Sequence, residues 1–249
     1  MTVVVAFLCT DGIVLAADSM ITPSMGNLNV GHHHGVKVNV LAGDQLFAFA
    51  GDQGQAARVM LLADSNAHVI PTFDHPMDYA VAISEAVIQQ FTRTGINGSI
   101  NVNTMLGWRH NGTTACCVFE GAMQPRLLDA DHFYVALGSG KLSADPFIRF
   151  VVDTFCTAGQ PSVREAVFLA TWVVQHVIDT NSGGVAPPIR MVTIQDVGGQ
   201  FVARQLPVEE IGEHQQAIES AAEALRTWRD NFQNGAGEEP AAEPPPVPQ

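Results

Sequence analysis

Apolar and polar positions along the chain follow two periods, and the periods change over in blocks. Residues 2–10 and 12–20 run apolar and β-branched on either side of Asp11-Gly12, which predicts a β-hairpin. Residues 36–41 and 45–50 predict a second strand pair around Ala42-Gly43-Asp44. Between the two pairs, residues 21–35 carry Pro, Gly, Asn and the run His32, His33, His34, and read as a loop. From Gln53 to about Ala67 apolar residues return at helical spacing (Ala56, Val59, Met60, Ala63), and a second helix is expected from Pro76 to Thr92, with proline suited to its first turn. Strands are expected again at 100–109 and 113–120 about Asn111-Gly112, then near 125–128 and 132–137. Helices at 143–157 and 162–180 follow, then a closing hairpin at 189–195 and 200–206 across Gly198-Gly199.

That order is strands, two helices, strands, two helices, strands. It predicts an α+β fold: two antiparallel sheets packed face to face with helices on the outer faces, a four-layer αββα sandwich. It does not suit alternating βαβ units. Residues 208–232 read as an additional amphipathic helix (Ile211, Ile218, Ala222, Leu225, Trp228). Residues 233–249 are rich in Pro, Glu and Ala and are expected to be disordered. The expected organisation is thus a body over 2–206, a helical extension over 207–232, and a tail.

Composition narrows the function. Of the 249 residues 47% are hydrophobic, enough for one well-packed core. No stretch approaches the roughly eighteen consecutive apolar residues of a membrane span. The N-terminus lacks a basic segment before its apolar run, so no signal peptide is expected and the cytoplasm is the default location. The net charge is −13, and three of the acids (Glu238, Glu239, Glu243) lie in the tail. An acidic body argues against a nucleic-acid surface. Cys9, Cys116, Cys117 and Cys156 match no zinc spacing, and neighbours on a strand point to opposite faces, so they read as reduced core residues. Three consecutive histidines cannot easily converge on one ion, and they read as a solvated loop.

The candidate chemistry begins at Thr2. If Met1 is removed, Thr2 carries a hydroxyl and a free amine on one residue, a nucleophile supplied with its own base. An α-amine titrates at roughly 7.7–8, so a useful fraction is neutral near pH 7. Taken alone, a threonine in this position simply starts a strand. Four further segments change that: DGIVLAADS (11–19), AFAG (48–51) followed by a helix, GSG (138–140), and DTNSGG (179–184).

Together with Thr2, in this order and spacing, these segments resemble the proteasome-type β subunits within the N-terminal nucleophile (Ntn) hydrolases. The resemblance covers about residues 2–206. The short N-terminus, the length and the acidic tail look closest to the bacterial proteasome homologue BPH, with the Anbu group and the heat-shock locus V peptidase as the nearer competitors. The resemblance implies that Thr2 is the nucleophile and that Asp18 is the aspartate that pairs with a lysine. Lys37 is the implied lysine. It lies fourteen residues before Gly51, the family's interval to the glycine whose N–H receives the oxyanion. The chain departs from the family in two ways here: Lys37 lacks an adjacent basic residue, and three extra residues precede it, placing an insertion in the loop at 21–35.

Ser139, Asp179 and Ser182 resemble the outer shell that orients the Thr2 amine and hydroxyl; helix capping near Gly183 and Gly184 is the plainer reading of the last two. Phe49 falls at the base of the family's specificity pocket, with Gln53 beside it. A phenylalanine there implies a shallow pocket and a preference for small or unusual P1 side chains.

The function implied is a threonine-type peptidase acting through an acyl-enzyme on Thr2, as a subunit of a self-compartmentalised stack of rings, a tetradecamer or dodecamer, taking peptide or unfolded protein, with an ATP-driven unfoldase as an open question. The mechanism requires no metal and no organic cofactor. Two alternatives stay open: a non-proteolytic ring or chaperone-like cage with a vestigial site, and an Ntn amidase acting on a small amide.

Overall fold

Strands β1 (Val4–Cys9) and β2 (Gly12–Ala17) are buried at every position, so both faces of their sheet must be covered. The computed structural model describes residues 2–25, 28–29, 31–95, 100–181 and 183–233. After β2 come four short strands, β3 (Met20–Ile21), β4 (Ser24–Met25), β5 (Leu28–Asn29) and β6 (His33–His34). Then follow β7 (Val38–Leu41), β8 (Gln45–Gly51), α1 (Gln53–Asn66) and α2 (Pro76–Arg93). Strands β9 (Val102–His110), β10 (Thr113–Glu120), β11 (Gln124–Leu127) and β12 (Tyr134–Leu137) precede α3 (Lys141–Phe155) and α4 (Val163–Thr180). The chain closes with β13 (Arg190–Val197), β14 (Gln200–Gln205) and α5 (Val208–Gln233).

One sheet has the order β12-β1-β2-β13-β14 and the other β11-β10-β9-β8-β7, with antiparallel pairing throughout. Helices α3 and α4 pack on the first sheet, α1 and α2 on the second. This is the expected αββα sandwich, with α5 added. One apolar cluster fills the space between the sheets and continues under α3 and α4. A second lies between the other sheet and α1 and α2. Cys116 belongs to the first and Cys117 to the second, as the two-residue period of a strand requires. All four cysteines are free; burial pushes the Cys117 thiol up to about 12 and that of Cys156 to about 11.

Two expectations shift. Cys9 pairs with Gly12, so the first turn is Thr10-Asp11 rather than Asp11-Gly12. The cause is Asp11. Its carboxylate accepts from the Val163 N–H at the start of α4 (2.7 Å) and from Gln195 Nε2 (3.0 Å). Residues 21–35, expected as a loop, contain small ladders: β3 pairs with β6 and β4 with β5. The excursion is pinched at its neck, where the Gly35 N–H donates to the Ser19 carbonyl (2.8 Å). Asn111 and Gly112 both take positive φ (47° and 82°), the geometry of a two-residue hairpin turn, as the sequence predicts.

Helix α5 lies against α4 through Ile211, His214 and Ile218. Gln215 Nε2 donates to Gln175 Oε1 of α4 at 2.7 Å. Arg204 of β14 makes a two-pronged contact with Glu210, 2.7 Å on each arm. Past Ile218 the apolar side chains face outward, with Trp228 and Phe232 stacked at 5.7 Å.

His214 makes α5 sensitive to acid. Its ring meets Phe168, and among the described residues its buried Nδ1 has no hydrogen-bond partner. Burial lowers its pKa from 6.5, Glu210 and Glu213 oppose that shift, and Arg164 adds to it. A lowered folded-state value means that the unfolded chain takes up the proton first. The stabilisation is therefore complete above about 6.5 and is lost as pH falls through the folded-state value. The protection factors of the α5 amides, taken relative to intrinsic exchange at each pH, should fall between pH 7.5 and pH 5, and His214→Phe should flatten that dependence. An unchanged pH response in the variant would assign the effect elsewhere.

Candidate active site

The site forms where β1, β2 and β8 end beside the turn from β12 into α3. Beyond β2 the chain leaves the ladder at Asp18, whose side chain turns inward and is fully buried. Asp18 Oδ1 accepts from the Val3 N–H (3.0 Å), and Oδ2 accepts from the Met20 N–H (2.9 Å). The carboxylate therefore ties both strands of the first hairpin together before any cation reaches it. Lys37 immediately precedes β7 and is 2% exposed. Its Nζ donates to Asp18 Oδ1 at 2.7 Å and to Thr2 Oγ1 at 3.0 Å. Burial lowers the lysine's pKa, and the Asp18 charge and hydrogen bond oppose the shift. Asp18 thus holds a desolvated ammonium against the threonine hydroxyl, where an alkoxide would be stabilised most strongly.

Thr2 is held from the other side by the Gly138-Ser139-Gly140 turn. Its backbone nitrogen donates to Ser139 Oγ (3.2 Å), and its carbonyl accepts from the Gly140 N–H (3.0 Å). Gly138 has φ +89°, and a Cβ there would collide with the Thr2 carbonyl. Gly51 ends β8 with φ +112°, exposed beside Thr2; a Cβ would lie 2.4 Å from the Asn101 carbonyl oxygen. The chain past Gly51 is fixed by the Asp52 N–H donating to that carbonyl (2.8 Å) and by Asp52 capping α1 through the Gln55 N–H (2.8 Å).

A cleft of about 260 Å³ opens over Thr2, bounded by Ile21, Thr22, Lys37, Phe49, Gly51, Gln53 and Ser139. Phe49 is 6% exposed and stacks on Phe47 at 6.2 Å, so its ring forms a rigid floor. Gln53 opens α1 at the rim. His32 Nδ1 lies 3.1 Å from Thr22 Oγ1, at the cleft mouth. Among the described residues no group of three metal-binding side chains forms.

Of the residues marked in the sequence, Thr2, Asp18, Lys37 and Ser139 meet in one hydrogen-bonded set, with Gly51 at its edge. Phe49 and Gln53 line the adjoining cleft. Asp179 is exposed on the last turn of α4, and its carboxylate accepts from Gln175 Nε2 at 2.7 Å. Ser182 lies outside the described residues. Sequence reasoning missed the backbone donors of Val3 and Met20, and Ile21 and Thr22 of the wall. Their roles depend on where the chain bends after Ala17, which carries no residue-type signal.

The αββα sandwich is the fold known as the Ntn-hydrolase fold. Two solved structures share it. One is a mutant of Anbu from Hyphomicrobium sp. strain MC1, at 18% identity and a TM-score of 0.65, aligned over 98% of this chain and 100% of that one. The other is Anbu, an ancestral beta-subunit, from Yersinia bercovieri, at 14% identity and a TM-score of 0.63, over 97% and 99%. No protein-family description and no curated protein matches the chain. At these identities the likeness is one of fold, and it extends over nearly the whole of both chains.

Lys37→Met leaves the Asp18 carboxylate buried with two backbone donors and no cation. Loss of one partner from a buried pair costs roughly 3–5 kcal/mol. Urea denaturation should show a drop of that order, partly recovered in the double variant Asp18→Asn, Lys37→Met. A loss below about 1 kcal/mol would show that the pair is not a structural anchor. Gly51→Ala should destabilise by about 1–3 kcal/mol, because alanine must adopt a left-handed backbone against the Asn101 carbonyl.

Proposed function

We propose that this chain is a threonine-type amide hydrolase, a peptidase, with Thr2 as its nucleophile once Met1 is removed. The observation that carries this reading is the Lys37 ammonium shared between Thr2 Oγ1 and Asp18, with the Thr2 nitrogen on Ser139. The free amine takes the proton from Oγ1, directly or through water, as Oγ1 attacks the amide carbon. Lys37 lowers the energy of the alkoxide, and the Gly51 N–H receives the oxyanion. The C–N bond breaks as the amine passes its proton to the leaving nitrogen, leaving an ester on Oγ1. Water, deprotonated by the same amine, attacks the ester and releases the acid, restoring Thr2. Ser139 orients the amine, and Asp179 joins it only on leaving Gln175.

The rigid Phe49 floor favours small P1 side chains. Efficient cleavage after large P1 residues would overturn that assignment. We read the chain as a subunit of stacked rings of identical copies, twelve or fourteen in number. Self-association is supported by exposed apolar side chains on α3 (Leu142, Phe150, Phe155) and α5 (Leu225, Trp228, Phe232). The full-length likeness to Anbu structures makes an Anbu-type β subunit the relative to test first, ahead of BPH. A non-proteolytic ring is the second reading, favoured by one observation: the Asp179 carboxylate is bound to Gln175 of its own helix.

A peptide epoxyketone separates the two, because it reacts only with a hydroxyl and a free amine on one residue. Intact-mass analysis should show one adduct per chain, at Thr2, in protein lacking Met1, and none in Thr2→Ala. Lys37→Ala should slow labelling by on the order of a hundredfold or more. Protein that lacks Met1 and takes no label would leave the ring without the chemistry.

A further inference from the structure

Two clefts meet at the edge of the nucleophile, and the chemistry above occupies only one. The first, over Thr2, carries Lys37, Phe49 and Gln53. The second, of about 270 Å³, carries Asn101, Asn103, Glu120 and Lys141. Gly51 and Ser139 line both, so they form the ridge between them. These are also the two residues nearest the bond that breaks. The oxyanion faces Gly51. The leaving nitrogen takes its proton from the Thr2 amine, which sits on Ser139. A scissile amide lying across this ridge has its acyl part in the first cleft and its leaving group in the second.

The second cleft carries two charged side chains, Lys141 and Glu120. Lys141 lies two residues past Ser139 at the start of α3. Its Nζ donates to the Ala136 carbonyl (3.0 Å) and lies 3.4 Å from Asp145, yet the side chain remains 41% exposed. Glu120 ends β10, two strands away from Gly51 on β8, on the order of 10 Å across the sheet, and its carboxylate lies 3.7 Å from the Arg126 guanidinium. The cleft therefore carries a partly exposed cation on the chain just past Ser139, and at its far side a carboxylate already paired with an arginine.

The geometry points to the second cleft as a leaving-group subsite in which Lys141 receives a carboxylate adjacent to the scissile nitrogen. This rests on the Thr2 reading and names its substrate class: acyl–amino acid amides whose leaving group is a single residue bearing a carboxylate. That group can be an α-carboxylate at the substrate's C-terminus or the side chain of Asp or Glu.

The test uses peptides identical up to the scissile bond and ending one residue later as Gly, Gln, Glu or Lys, each as free acid and as amide. Release should favour free acids over amides by about tenfold in kcat/KM, a single charge contact. Glu amide above Gln amide would mark the side-chain carboxylate as a second source. Lys141→Met should bring all of these within twofold, and Lys141→Arg should retain the preference. Epoxyketone labelling of Thr2, which fills only the acyl cleft, should be unchanged in both variants. Independently of turnover, calorimetry should detect glutamate binding to wild-type protein and not to Lys141→Met. Labelling at Thr2 without carboxylate discrimination, or discrimination that survives Lys141→Met, overturns this assignment and leaves the Thr2 reading standing. Absence of labelling overturns that reading first.

Discussion

The Lys37–Asp18 contact is the constraint on which the site depends. Two charges that would each be costly to bury alone are buried together at 2.7 Å. Their arrangement is asymmetric. Asp18 is satisfied by two backbone N–H groups from different strands, so its position belongs to the fold. Lys37 is satisfied by Asp18 and by the Thr2 hydroxyl. Only 2% of the Lys37 surface is exposed, so the ammonium is held against the Thr2 hydroxyl. On the proposed reading this is preorganisation by desolvation, a use for a buried charged pair that is weak as a source of stability.

Around that pair, nearly everything is backbone. Thr2 is clamped by the Gly140 N–H, Gly138 removes the Cβ that would push it away, and Gly51 takes a conformation that only glycine accepts without strain. The site is thus built from turns between buried strands. Its precision comes from the sheets, whose strands cannot slip by one residue without moving a buried face outward.

Much of the architecture was legible in the sequence because two-sided burial leaves a strong trace: VVAFLC and GIVLAA have no polar interruption, and α1 to α4 carry their apolar faces at helical spacing. The Asn111-Gly112 turn was legible because its positive φ values demand those residues. The Thr10-Asp11 turn was not, because a tertiary contact decided it: Asp11 is recruited by the start of α4. In the site, Thr2, Asp18, Lys37 and Ser139 could be named from the family resemblance that their segments carry, and they meet. The orientation of Asp179 could not, since a carboxylate at a helix end has several partners within reach and Gln175, one turn back, is the nearest amide. Ile21 and Thr22 of the cleft wall were invisible for a similar reason, since their place follows from the bend at Asp18 and not from their chemistry.

The neck at Ser19 and Gly35 has a consequence for how this scaffold can vary. The Gly35–Ser19 backbone hydrogen bond and the β3–β6 pairing close residues 20–34 into a side excursion whose two feet stand next to Asp18 and Lys37. Chain added or removed beyond that pairing is separated from both feet by it. The molecule thereby separates a segment past that pairing, where length can change, from the buried charge pair at its feet. What reaches the mouth of the cleft can be redesigned without resetting the electrostatics beneath it.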